Sequence, residues 1–210
     1  MDNVAIRHIH QSDPEYPAAL ERYLAEDAPD SATAKGNLDL LNRAKLAIFC
    51  STTCPAEIVA QTEEIIQELL NAPVTIIGGF HSQPELQCLN ILLRGTQPII
   101  LSPARSLDRL RIRHEYKQPL ENGRLLFLSF FKSHRHRSDT EMASQRNLYV
   151  AALADRVLIV HAAPSSKTEQ LCREIISWRK PVYTIDHNAN QNLVDLGAKT
   201  VRDVSEPLLA

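Results

Sequence analysis

The sequence predicts a doubly wound, mostly parallel α/β sheet with helices on both faces and a short N-terminal helical extension. Three observations carry this. Apolar runs of four to six residues recur from Lys45 onward with no polar alternation, as strands covered on both faces do. Segments with helix start signals separate them, which is the pattern of a parallel sheet. The strand at 74–78 runs into Gly78-Gly79 and then a helix start, the junction at which such sheets bind ligands.

Residues 1–44 are polar and broken by prolines, and form the extension; residues 45–210 form the main domain. Pro14 can open a short helix through Leu24, "AEDAPDSATAKGN" reads as loop, and "NLDLL" (37–41) as one helical turn. "KLAIFC" (45–50) is the first strand, and Pro55 opens a helix to Leu70 with Ile58, Ile65, Ile66 and Leu69 on one face. "VTIIGG" (74–79) is the second strand. Ser82 and Glu85, with Pro84 between them, spell a capping box for a helix over 82–93. "PIIL" (98–101) is a third strand, followed by an arginine-rich crossover over 102–124, and "RLLFLS" (124–129) is a fourth. Ser138 and Glu141 read as the box of a helix to Leu153, "RVLIVHA" (156–162) as the fifth strand, and Ser166 with Glu169 as the start of a helix to Trp178. "PVYTI" (181–185) and a short helix at 190–196 close the pattern.

Composition bounds the function. A hydrophobic share of 44% is ordinary for a soluble globular chain, and no apolar run reaches membrane-spanning length. The N-terminus has no signal-peptide core, so a cytoplasmic location with no membrane contact is expected. Cys50, Cys54, Cys88 and Cys172 form no C-x-x-C pair and read as reduced, mostly buried thiols. Net charge is −2, but residues 105–137 hold nine Lys/Arg against three acids, a net of +6. That asymmetry fits a local site for phosphates, or a solvated face.

Four strand ends converge on the expected crevice: Ser51-Thr52-Thr53, Gly78-Gly79-Phe80-His81, Ser102 to Arg105, and His161 to Thr168. A glycine turn before a helix offers free N–H groups and a positive dipole end, both suited to phosphate; it also serves as a plain structural turn. Ser165, Ser166, Lys167 and Thr168 repeat the arrangement, with hydroxyls and an ammonium for the same anion. Arg111 and Arg135 belong to the basic segment, and Arg146 with Asn147 lies in a predicted helix near the crevice. His134 and His136 stand among arginines with no acid at ligand spacing, so no metal is expected. Phe80, Phe130, Phe131 and Tyr149 are the aromatic platforms available to nucleobases, with core packing as the alternative. No nucleophile, Walker or zincin motif is present, so neither catalysis nor a cofactor is expected.

The ordered segments resemble the DprA/Smf DNA-processing family over roughly residues 14–200. They are "YP" at 16–17, "DAP" at 27–29, "KGNLDLL" at 35–41, "RNLYVAALADRVLIVHA" at 146–162, "SSKTEQL" at 165–171, "KPVYTID" at 180–186 and "NQNLVDLGA" at 190–198. The resemblance implies a Rossmann-like domain and a non-enzymatic recombination mediator. Such a protein binds single-stranded DNA as a homodimer and delivers it to RecA. Two departures stand out. The first loop reads Cys50-Ser51-Thr52 without the family's arginine, and the family's S-G-x-A-x-G-I-D becomes Gly78 to Glu85 with the acid kept as Glu85. The winged helix of many members has no counterpart up to Ala210. A sensor of a small nucleotide-derived ligand is the alternative, and a phosphoribosyl-type hydrolase, whose motif is missing, the third. Nine cations exceed the need of one mononucleotide and favour a polymer.

Overall fold

Successive residues of each central strand feed two different apolar clusters, and this alternation builds the molecule. The structure, a computed structural model, describes residues 5–132, 135, 138–203 and 208. In β3 (Lys45–Cys50), Leu46, Ile48 and Cys50 enter one cluster, while Ala47 and Phe49 enter the other. Both faces are therefore dry, which is why "KLAIFC" shows no polar alternation. The first cluster is covered by α2 (Ala56–Glu68) and α3 (Gln83–Leu92), through Ile58, Ile65, Ile66, Cys88, Leu89 and Leu92. The second is covered by α1 (Ala18–Leu24), α5 (Thr140–Leu153) and α6 (Lys167–Ser177), through Leu20, Val150, Leu153, Cys172 and Ile175.

The described residues form one nine-stranded sheet of order β1-β2-β6-β5-β4-β3-β7-β8-β9. Strands β3, β4 (Thr75–Gly78), β5 (Ile99–Leu101), β6 (Leu125–Ser129), β7 (Arg156–His161), β8 (Val182–Ile185) and β9 (Lys199–Val201) are mutually parallel. The chain steps outward from β3 to β6, crosses back through α5, and steps outward the other way from β7. The order thus reverses between β3 and β7, and the crevice rule places ligands beyond the carboxyl ends near that reversal. The short helices α4 (His114–Glu121) and α7 (Gln191–Leu196) complete the set. All six predicted strands are present and the sheet is doubly wound.

The N-terminal segment differs from expectation. Besides α1 and a 3-10 turn at Leu38–Asn42, it supplies two antiparallel strands, β1 (Arg7–His10) and β2 (Ser31–Gly36), the second pairing with β6. The stretch read as loop over 25–37 therefore contains a strand. Its inward positions are only Ala32 and Ala34, both buried, so it carries no bulky apolar signal. The strand β9 and the helix α4 inside the basic crossover were likewise not expected. At α5 the N-cap is Asp139, whose Oδ1 accepts from Met142 N at 2.7 Å, one residue later than the expected Ser138 box. A carboxylate there also answers the helix dipole. The Ser82–Glu85 box is present in both halves.

One lysine joins these layers. Lys180 is buried and its ammonium donates to the carbonyls of Ala151, Ala152 and Ala154, the orphan acceptors at the end of α5. The same nitrogen stands 3.9 Å from the ring centre of Tyr23 on α1, a cation–π contact. Replacing it by methionine keeps the stem but leaves three carbonyls without donors. Lys180→Met should lower stability by about 2–3 kcal/mol in urea unfolding; a change below about 0.5 kcal/mol would show that water satisfies the helix end equally well.

Candidate nucleic-acid interface

The site is built from a guanidinium that has almost left water. Arg146, in the second turn of α5, is only 3% exposed. Its Nη1 donates to Ser102 O at 2.9 Å beyond β5, and its Nε to Asn147 Oδ1 at 2.7 Å. The group lies directly against Gly79, the residue after β4: a Cβ there would overlap Nη1 and Cζ. Gly79 is therefore a glycine because an arginine occupies the side-chain position. Burial pulls the Arg146 pKa below its ordinary value, and the nearby Glu85 carboxylate opposes that. An arginine stays charged nonetheless. Among the described residues its Nη2 makes no hydrogen bond and is not one of the enclosed unsatisfied atoms, so this edge of the guanidinium opens on the cavity.

Glu85 fixes the loop that holds Gly79. Its Oε1 accepts from Cys50 N at 3.0 Å, and its Oε2 from His81 N at 2.7 Å and Ser82 N at 3.1 Å. One carboxylate thus ties the end of β3 to the turn after β4. With three N–H donors on it, the acid acts as a structural anchor.

Above Arg146 opens a cavity of about 670 Å³, lined among others by Thr52, Gly79, Phe80, His81, Arg105, Arg111, Arg113 and Arg146. Arg111 and Arg113 are exposed and Arg105 half-buried. Asp139 is the one acid on the wall among the described residues, and it is engaged as the α5 cap. The cavity therefore has a floor cation and a rim of three more, of which Arg113 is ion-paired with Glu115 at 3.8 Å, and the balance on the wall is positive. Sequence reasoning missed Arg113 as a wall residue and Ser102 as the anchor of Arg146. Neither has a motif; only the fold brings them in.

Several expected residues lie elsewhere. Ser51 is buried and seams β3 to β7, its N–H on His161 O at 2.9 Å and its Oγ accepting from Ala163 N at 3.3 Å. Gly78 is the last residue of β4, and its carbonyl accepts from Ser102 N at 2.9 Å. Phe80 lines the cavity but is 4% exposed, and Phe130, Phe131 and Tyr149 are buried too, so all four aromatics are packed core. Ser166 caps α6, and Ser165 N donates to Glu169 at 3.1 Å. Lys167 donates to Ser144 on α5 at 3.2 Å. Lys167 and Asn147 line a separate cavity together with Glu141 and Glu174. The shared crevice expected for the Gly78-Gly79 and Ser165-Ser166-Lys167-Thr168 junctions is thus divided, because α5 presents Arg146 to the first and Ser144 to the second. Arg135 is exposed, with its carbonyl accepting from Ser106 N at 2.8 Å. His134, His136 and Arg137 fall outside the described residues. No group of three or more metal-ligating side chains occurs among the described residues, and no helix there is long and apolar enough to cross a membrane.

The Gly79–Arg146 contact makes a direct prediction. Gly79→Ala should cost about 1–3 kcal/mol in the wild-type background, as overpacking does. In an Arg146→Ala background the same change should cost almost nothing, since the space is vacant. Equal costs in both backgrounds, by chemical denaturation, would show that the contact does not dictate the glycine.

The comparisons with known proteins agree with this architecture. The X-ray structure of DNA processing protein A (DprA) from Streptococcus pneumoniae superposes with a TM-score of 0.78 at 22% identity, covering 96% of this chain and 73% of that one. DNA processing protein A from Helicobacter pylori, whose structure concerns its single-stranded DNA binding mode, gives a TM-score of 0.75 at 20% identity, covering 95% of this chain and 92% of that one. The molybdenum cofactor carrier protein from Chlamydomonas reinhardtii is more distant, with a TM-score of 0.52 at 10% identity over 79% of this chain and 94% of that one. No curated protein matches the chain. The family model of DNA recombination-mediator protein A matches residues 7–209, nearly the whole chain, and the protein belongs to that family.

Proposed function

We propose that this chain binds single-stranded DNA in the arginine-lined cavity and works without covalent chemistry. The observation that carries this reading is Arg146, a buried guanidinium with an unpartnered Nη2 on the floor of a cavity rimmed by Arg105, Arg111 and Arg113. A guanidinium withdrawn from most of its water but open on one edge is placed to take a phosphate oxygen there. The rim arginines then follow the backbone to the neighbouring phosphates. Positioning is by charge, with exposed His81 and half-buried Tyr116 the rings on the cavity wall that a base could meet. The family assignment supports a mediator role, and the DNA-binding relative supports the nucleic acid as ligand. In this reading the chain acts as a homodimer that passes its strand to RecA. The ligand sites at Ser165, Ser166, Lys167 and Thr168 form a second, weaker patch, because Lys167 there faces Glu141 and Glu174.

One observation favours a second reading, a sensor for a small nucleotide. A cavity of about 670 Å³ is of mononucleotide size, and it sits near the reversal of strand order.

Salt separates the two. With about 3–5 phosphates contacted, the log–log slope of affinity against salt on single strands should be roughly −2 to −3.5. Arg111→Ala should make it shallower by about 0.7 and weaken all sequences alike. Arg146→Lys keeps the charge and loses the fork, and should weaken binding more than Arg111→Ala does. A sensor would show weak salt dependence, strong base preference and no response to Arg111. Undetectable oligonucleotide binding at low salt beside tight binding of a nucleotide would transfer the cavity to the sensor.

A further inference from the structure

A second cavity, of about 620 Å³, lies over the reversal of strand order, beyond the carboxyl ends of β3, β7 and β8. The loop after β3 separates it from the arginine cavity: Thr52 lines the one and Thr53 the other. Its wall is of a different kind. Among the described residues no Asp, Glu, Lys or Arg lines it, and Pro55, Ala163 and Ala189 give it apolar faces.

Two polar atoms on this wall have a fixed sense. His161, the last residue of β7, is 6% exposed, and its Nδ1 stands 2.7 Å from Oδ1 of the fully buried Asn190. Asn190 decides which of the two donates. Its Nδ2 already gives its hydrogens to Val160 O at 2.9 Å and Ile185 O at 3.0 Å, so the amide oxygen faces the ring and can only accept. Nδ1 therefore carries the hydrogen, and the lone pair of the neutral imidazole is on Nε2. Among the described residues Nε2 makes no hydrogen bond and is not one of the enclosed unsatisfied atoms, so it opens on the cavity that His161 lines. Asn192 repeats the arrangement. Its Nδ2 donates to Ala162 O at 3.1 Å and Glu169 Oε1 at 2.7 Å, which leaves Oδ1 as the free end. The cavity thus offers two preset acceptors between apolar faces, with no cation beside them.

We propose that this second cavity is a pocket for a nucleobase that bears an exocyclic amine, such as adenine. The amine carries two N–H donors on a flat, uncharged ring, which is the complement of two acceptors set between apolar faces. Thymine turns a carbonyl oxygen to the corresponding edge and sets lone pair against lone pair. The base has two sources. One is a free nucleoside. The other is a base of the strand held in the arginine cavity, passed across the loop 51–55 that the two cavities share. The pocket makes no phosphate contact, so only the second source rests on the DNA-binding reading.

Titration calorimetry of the full chain tests the first source with adenosine and with purine riboside, which lacks the amine. Adenosine should bind about tenfold more tightly. His161→Phe keeps a ring and removes the acceptor, and should abolish the preference. Ala163→Phe leaves the hydrogen bonds of His161, Asn190 and Asn192 in place and fills the cavity; it should abolish the preference too, and it stands in should His161→Phe fail to fold. The second source is tested with an oligothymidylate and the same strand carrying one adenine. The adenine should tighten binding about tenfold in the wild type and not at all in Ala163→Phe. An adenine preference in either arm that Ala163→Phe removes supports the pocket and identifies the source. Absence of the preference in both arms, or a preference that survives Ala163→Phe, overturns the proposal. A chain that prefers adenosine yet binds no oligonucleotide keeps this pocket and loses the DNA-binding reading; one that binds both oligonucleotides equally and shows no adenosine preference does the reverse.

Discussion

The geometry of the arginine cavity depends on one side chain, the guanidinium of Arg146 buried between α5 and the ends of two strands. It holds Ser102 beyond β5, it requires the absence of a Cβ at Gly79 beyond β4, and it fixes Asn147 on its own helix. A cation in that position is expensive to desolvate, and the fold leaves one edge of it open to the cavity at the mouth of the sheet. Glu85 supports it from behind, moderating the charge and clamping the loop by three backbone N–H groups.

The reversal of strand order explains why the cations gather on one side. After β6 the chain must return to β3, and α5 is the element that crosses. Its N-terminal half passes over the strand ends and divides what would have been one trough. On one side stand Arg105, Arg111 and Arg113 from the crossover between β5 and β6. On the other, Lys167 donates to Ser144 and shares its cavity with Glu141 and Glu174. Three of the nine cations of the segment 105–137 thus line this one cavity together with Arg146, although the whole chain is slightly acidic.

The sheet was largely legible in the sequence because its central strands are dry on both faces; continuous runs such as "KLAIFC" and "RLLFLS" have few other readings. The outer strands were not. Ser31–Gly36 buries only two alanines, and Arg7–His10 buries only Ile9, so neither rises above a loop in hydrophobicity. At the site, the residue types were legible and their partners were not. Gly79 stood out as a glycine, but its cause lies 67 positions along the chain at Arg146. Glu85 was readable as the acid of a capping box, whereas its bond to Cys50 N, 35 residues away, is a product of the fold. The junction at 165–168 was readable as a second helix start but not as one screened from the first, since nothing in its spelling indicates where α5 will run.

The most direct test of the central claim is a crystal structure of the chain with a short oligothymidylate. The account predicts a backbone phosphate within hydrogen-bond distance of Arg146 Nη2, beside Gly79, with neighbouring phosphates along Arg105 and Arg111. An oligonucleotide bound elsewhere, with the Arg146 cavity empty, would contradict it.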